Sequence, residues 1–133
     1  MIEGLVRPFL FGFTLGAAGL FGWSSSQAAT GGDPARGQQV YDGKCSACHS
    51  LDANRVGPAH RGVYGRRAGL AAGYGYSPGV KASRIVWNEM TLDRWLTNPQ
   101  ATIAGARMGF RLADPQQRAD VIAYLRQQSA VHR

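Results

Sequence analysis

The chain has 133 residues, with 15 Lys and Arg against 8 Asp and Glu, for a formal charge of +7. That length holds one domain and excludes a multidomain enzyme, a long solenoid or a transmembrane bundle. Two cysteines exclude a disulfide-dense scaffold. Residues 1–28 read as an export signal. Met1 to Arg7 form a weakly positive start, Phe9 to Trp23 an apolar run, and Ser26-Gln27-Ala28 puts small residues at the −3 and −1 positions before a cut. The run falls short of the ~20 residues that span a hydrocarbon core as a helix. Cleavage leaves a mature N-terminus near Ala29, and the alternative is an uncleaved N-terminal anchor.

Residues 29–133 are expected to form the single domain. They keep 14 basic and 7 acidic side chains but hold only 17 Leu, Ile, Val and Phe. Below about 20% of such residues a highly charged chain tends to disorder, so apolar volume has to come from elsewhere, as a prosthetic group would supply it. Asp33-Pro34 supplies an N-cap and an N1 proline for a first helix running through Tyr41 toward Cys45. Ser50 to Gly79 is glycine-rich and aperiodic, a long loop region of the kind that wraps something. Ala82 to Trp87 reads as a helical turn. Thr91 then caps a helix through Leu92, Trp95 and Leu96, which ends at Asn98-Pro99. Gln100 to Ala113 reads as another loop. Asp114 and Pro115 open the last helix, with Val121, Ile122, Tyr124 and Leu125 on one face to about Gln128. The expected fold is all-α, with three to five short helices and long loops.

Cys45-Ser46-Ala47-Cys48-His49 is C-x-x-C-H. Two thiols three residues apart on a helical turn can add to the two vinyl groups of one haem, and the adjacent His49 can turn its imidazole to the iron. A zinc site would need two further ligands, and only His60 and His132 remain, at no recognisable spacing. A thioredoxin-like pair would need a βαβ context. A bare disulfide gives His49 no purpose. For the other side of the iron, Met108 lies between Gly105 and Gly109 in a loop about 60 residues downstream, long enough to fold back over the opposite haem face. The other candidates are Met90, for which core packing is the plainer role, His60, close behind Gly57-Pro58, and His132 at the terminus.

Taken together, these residues resemble the class I cytochromes c of bacterial periplasmic and mitochondrial type. The likeness runs from Gly37 and Tyr41 through the C-x-x-C-H motif, Gly57-Pro58, the Gly62–Gly69 stretch, Tyr76-Ser77, Trp87, Leu92 and Leu96–Pro99. It continues to Met108-Gly109-Phe110 and Ala123-Tyr124-Leu125. It implies one covalent haem c at Cys45 and Cys48, with His49 and Met108 as axial ligands. It also implies that the Pro58 carbonyl orients the ligand imidazole, and that Arg66, Tyr76 and Trp87 hold the haem propionate. Gly37 and Tyr41 are expected to cross the last helix near Tyr124. The chain departs from the family where Ala104-Gly105-Ala106-Arg107 stands for the usual Pro-Gly-Thr-Lys. Trp95 replaces a frequent tyrosine, and His60 sits where an apolar residue is more usual.

The resemblance implies an electron-transfer protein rather than an enzyme: a soluble, monomeric periplasmic carrier cycling Fe(III)/Fe(II). The rival readings are an electron-transfer subunit of a larger oxidoreductase and a haem enzyme of peroxidase type. Lys44 beside the motif, Arg107 and Arg111 around Met108, and Lys81 nearby make a positive surface suited to acidic redox partners. Such partners include a membrane quinol-oxidising complex, a terminal oxidase, or a periplasmic dehydrogenase or reductase. No nucleic-acid-binding motif accompanies the positive charge.

Overall fold

The computed structural model describes residues 31–131. The export signal expected over residues 1–28 lies outside them, as does His132. Five helices follow in order: α1 (Pro34–Lys44), α2 (Pro78–Ala82), α3 (Glu89–Thr97), α4 (Pro99–Thr102) and α5 (Pro115–Ala130). Among the described residues the only β-pairing is an isolated bridge between Arg67 and Val86. The all-α reading holds. Both long helices start as their sequence dictates. The Asp33 carboxylate accepts the Ala35 and Arg36 amides ahead of Pro34, and that of Asp114 accepts the Gln116 and Gln117 amides ahead of Pro115.

The frame that carries the rest is the crossing of α1 and α5. A Cβ added at Gly37 would lie 2.0 Å from the Asp120 carbonyl oxygen and 2.9 Å from Tyr124 Cβ, so only glycine lets the two backbones approach this closely. One turn on, Tyr41 packs its ring on Tyr124 at 5.4 Å. The expected apolar face of α5 is wider in the fold. The whole run Asp120 to Leu125 is buried, because α3 packs on the helix as well as α1. Arg118 ties those elements together, pairing with Asp93 of α3 at 2.6 Å and donating to the Leu112 and Ala113 carbonyls.

Three boundaries differ from the sequence reading. Ala82 to Trp87 is no helical turn. The helix sits earlier, at α2, where Pro78 supplies a preset φ at N1. After it, Ile85 to Trp87 run extended. Ala68 donates to the Ile85 carbonyl and Trp87 to the Arg66 carbonyl, at 2.8 and 2.9 Å, and the β-branched Ile85 and Val86 favour that conformation. Thr91 is not the cap of α3 either. Asn88 is, and Thr91 is the other half of a capping box, each side chain bonding the other residue's backbone amide. Asn98 both ends α3 and caps α4, so Pro99 opens a further turn inside the stretch read as loop.

Asp120 is the one buried carboxylate of the crossing, and its partners explain its place. It accepts a two-pronged contact from Arg36 at 2.9 and 3.0 Å, the Asp33 amide at 2.7 Å and the Gln116 amide group at 2.9 Å. The Arg36 hydrogen bond, more than its burial opposes, brings the Asp120 pKa down from 3.8 to about 2. The sign follows. Above pH 4 the carboxylate is ionised whether the chain is folded or not, and the full stabilisation is present. As pH falls toward 2, the unfolded chain binds its proton first and the stabilisation is lost. With Arg36 half exposed and screened, the contribution is about 2 kcal/mol. Asp120→Asn therefore costs about 2 kcal/mol in urea unfolding at pH 7, and the gap to the wild type closes near pH 2. An equal gap at both pH values would refute this account.

Candidate haem site

The motif occupies a turn that continues α1. Cys45 and Ser46 donate to the Tyr41 carbonyl at 2.8 and 3.0 Å, and Cys48 and His49 donate to the Cys45 carbonyl at 3.1 and 2.9 Å. The turn brings two free thiols, Cys45 half-buried and Cys48 exposed, beside one imidazole. Burial pushes the Cys45 thiol up to about 11, so at neutral pH it is protonated and a poor nucleophile once the chain has folded.

His49 is held at its far nitrogen. Its Nδ1 lies 2.9 Å from the Pro58 carbonyl oxygen, which can only accept, so Nδ1 carries the proton and Nε2 keeps its lone pair. Burial lowers the His49 pKa, which favours the neutral form a metal requires. Gly57 makes this approach workable. A Cβ there would stand 2.1 Å from His49 Cε1, and the Gly57 amide is itself fixed on the Cys48 carbonyl at 2.8 Å. His60, which the sequence reading considered as a ligand, stacks its ring on that of His49 at 3.9 Å. Burial, reinforced by His49 and Arg66, pushes the His60 pKa well down, leaving a neutral ring.

Met108 is half-buried and packs on the core, its carbonyl taking a hydrogen bond from Gln100 at 3.0 Å. Met90 is not the core residue its sequence position suggested. It is 61% exposed, with its sulfur against the Arg94 guanidinium, because the first turn of α3 points that position outward. Trp95 is partly buried and packs against Trp87 at 5.2 Å.

Arg66, Tyr76 and Trp87 are drawn together. The Arg66 carbonyl accepts from the Trp87 amide, and the Tyr76 hydroxyl is close enough to Arg66 to act on its charge. Two Arg66 nitrogens donate to the Arg61 and Ala59 carbonyls at 3.2 and 3.1 Å, while its buried Nε has no partner. Burial lowers the Arg66 pKa, and Tyr76 opposes that shift. Ser77, next to Tyr76, is 5% exposed and its Oγ is likewise unpartnered. A half-buried guanidinium whose Nε is buried, and a buried hydroxyl, each with a donor to spare, match an anionic oxygen group such as a haem propionate. The sequence reading gave Ser77 no role. A serine ahead of Pro78 looks like a helix cap, and it stands at that position without making the capping bond.

The four residues read as a partner surface, Lys44, Lys81, Arg107 and Arg111, are all exposed. Arg107 also has a structural task, donating to the Gly75 carbonyl at 3.1 Å and so tying the methionine loop to the segment before Tyr76.

The Cytochrome c family model matches residues 34–129. The chain belongs to the cytochrome c family. It is 44% identical over 107 residues to cytochrome c2 of Rhodomicrobium vannielii, covering 77% of this chain and 84% of that protein. It is 40% identical to cytochrome c of Ginkgo biloba over 72% of this chain and 88% of that one. Among solved structures, cytochrome cH from Methylobacterium extorquens and the ferricytochrome c2 from Rhodopseudomonas palustris each superpose with a TM-score of 0.69 at 38% identity. They cover 72% and 73% of this chain and 99% of theirs. Membership makes this cytochrome c an electron carrier with one covalent haem c, and not an enzyme. The C-x-x-C-H spacing, the free His49 Nε2 and the unpaired buried donors fit that group.

Proposed function

We propose that this cytochrome c is a soluble, monomeric periplasmic carrier, exported with loss of residues 1–28, that shuttles single electrons between acidic redox partners. In this reading Cys45 and Cys48 hold the haem by thioether bonds, and His49 and Met108 are its axial ligands. When bound, the haem supplies a one-electron Fe(III)/Fe(II) couple, which a nitrogen and a thioether ligand set at a raised potential. The observation that carries the reading is the Pro58 carbonyl on His49 Nδ1, which fixes the tautomer and leaves Nε2 as the only basic nitrogen of that ring. Arg66 Nε, Ser77 Oγ and the Tyr76 hydroxyl offer hydrogen bonds that stabilise a buried propionate, with Trp87 joined to the Arg66 backbone. The Tyr76 oxygen already accepts the Ala71 amide at 3.1 Å, so its own proton is free to be donated. Partners of the expected kind are a quinol-oxidising complex, a terminal oxidase, or a periplasmic dehydrogenase or reductase.

The docking charges give the reading a kinetic test. Exposed Lys44, Lys81, Arg107 and Arg111 steer an acidic partner, and steering across a Debye length of ~8–10 Å is screened by ordinary salt. The bimolecular electron-transfer rate with an acidic partner should fall steeply as ionic strength rises. Lys44→Glu and Arg111→Glu should each slow it several-fold at low salt, with the C-terminal Arg133→Glu as the control that leaves it unchanged. Arg107→Glu is less clean, because it also frees the Gly75 carbonyl. A rate flat in salt would remove electrostatic docking from the proposal. A purified holoprotein lacking the spectrum of low-spin, sulfur-ligated iron would remove the ligation.

A further inference from the structure

We propose that His60 is a positioning residue for the axial imidazole: anchored by Tyr41, its ring fixes the plane of His49 and holds the reduction potential down. The inference rests on His49 being the axial ligand.

His60 is fixed at both ends. Its amide donates to the Ser50 carbonyl at 2.9 Å, its carbonyl accepts from Val63 at 2.9 Å, and its Nδ1 lies 3.1 Å from the Tyr41 hydroxyl. Tyr41 is itself packed in place, 4% exposed within the α1–α5 crossing and in ring contact with Tyr124. From that anchor the His60 ring lies nearly parallel to His49, 19° between planes and 3.9 Å between centroids. The axial imidazole thus meets a carbonyl at Nδ1, the Gly57 backbone at Cε1 and a flat ring on its face. Rotation about its Cβ–Cγ bond runs into one of the three. An alkyl chain at position 60 could fill the volume without defining a plane.

The electronic consequence follows from charge. Oxidation adds one positive charge to the iron, and the ligand ring shares it. A dipolar, polarisable ring in van der Waals contact stabilises that charge better than an alkyl group does, and so favours the oxidised state. A hydrogen bond between Tyr41 and His60 and the ring stack of His60 on His49 therefore link the helix crossing to the haem ligand.

The test compares the holoprotein with His60→Leu and His60→Phe, reading the midpoint potential and the paramagnetically shifted haem-methyl NMR signals, which report the ligand plane. Both substitutions remove the ring nitrogens. Each should shift the oxidised-to-reduced equilibrium toward the reduced form, His60→Leu by about threefold to tenfold, the upper limit being about 59 mV for one electron, and His60→Phe by less, since it loses the dipole but keeps a polarisable ring. Phe keeps a flat ring, so it should retain the wild-type methyl pattern, whereas Leu should rearrange it. If His60→Leu fails to accumulate, the potential of His60→Phe still decides the electronic half, and the methyl pattern of Tyr41→Phe decides the anchored plane. Variants that keep a low-spin, sulfur-ligated spectrum with potential and methyl pattern unchanged would overturn the role of His60. Loss of that spectrum in the wild type would instead overturn the ligation on which it rests.

Discussion

Without covalent haem the chain should not fold. Expressed as Cys45→Ala/Cys48→Ala, or in a compartment lacking attachment machinery, residues 29–133 should give a largely disordered far-UV spectrum and no cooperative thermal transition. The reasons are cumulative. The mature stretch has only 17 Leu, Ile, Val and Phe, and Val56, Leu70, Val86, Phe110 and Val131 among them are substantially exposed. Fixing the backbone costs about 1–2 kcal/mol for each residue ordered, and so short a supply of aliphatic burial offsets little of it. The region from Ser50 to Ser77 adds no helix of its own. Arg66 Nε and Ser77 Oγ each cost about 1–3 kcal/mol when buried without a partner, a cost that a propionate bound to them would remove. A sharp melting transition in the haem-free double variant would show that the helices suffice by themselves.

How much of this could be read from the chain depended on how local each signal was. Asp33-Pro34 and Asp114-Pro115 fix two helix starts through bonds spanning two or three residues, and both appear where expected. The C-x-x-C-H spacing is equally local. Helix boundaries set by competition are not legible in this way. Thr91 and Asn88 are both capable caps, and the choice between them is made by their mutual bonds and by Val86, whose carbonyl accepts the Thr91 hydroxyl at 2.8 Å. The extended run before Trp87 is decided by its partner Arg66–Ala68, some twenty residues earlier. Met90 departs from its sequence expectation for a different reason. Proximity to Trp87 in sequence does not say which way the first turn of α3 faces. Likewise, nothing in the text around His60 announces Tyr41, since they meet only after the loop folds back under α1.

The largest spectroscopic change should follow from Met108→Ala. Its loop is built to present one residue: Gly105 turns the chain with φ +77°, Ala106 is buried, Arg107 is tied to Gly75, and Gln100 holds the Met108 carbonyl. With the side chain cut back, the backbone of the loop stays anchored at those points, and no sulfur is left in it to take the methionine's place. The sulfur-to-iron charge-transfer band should vanish, and the iron should become high-spin or take a solvent ligand. Its potential should fall by a sizeable part of the ~0.8 V that axial ligands command. Met90→Ala is the matched control. Exposed and in contact with Arg94 alone among charged groups in its bonds, it should leave band and potential untouched and change stability by no more than about 0.5 kcal/mol. The pair separates ligand from bystander in one experiment. If the band survives Met108→Ala and is lost in Met90→Ala, the axial assignment is wrong and α3, rather than the Gly105–Gly109 loop, faces the iron.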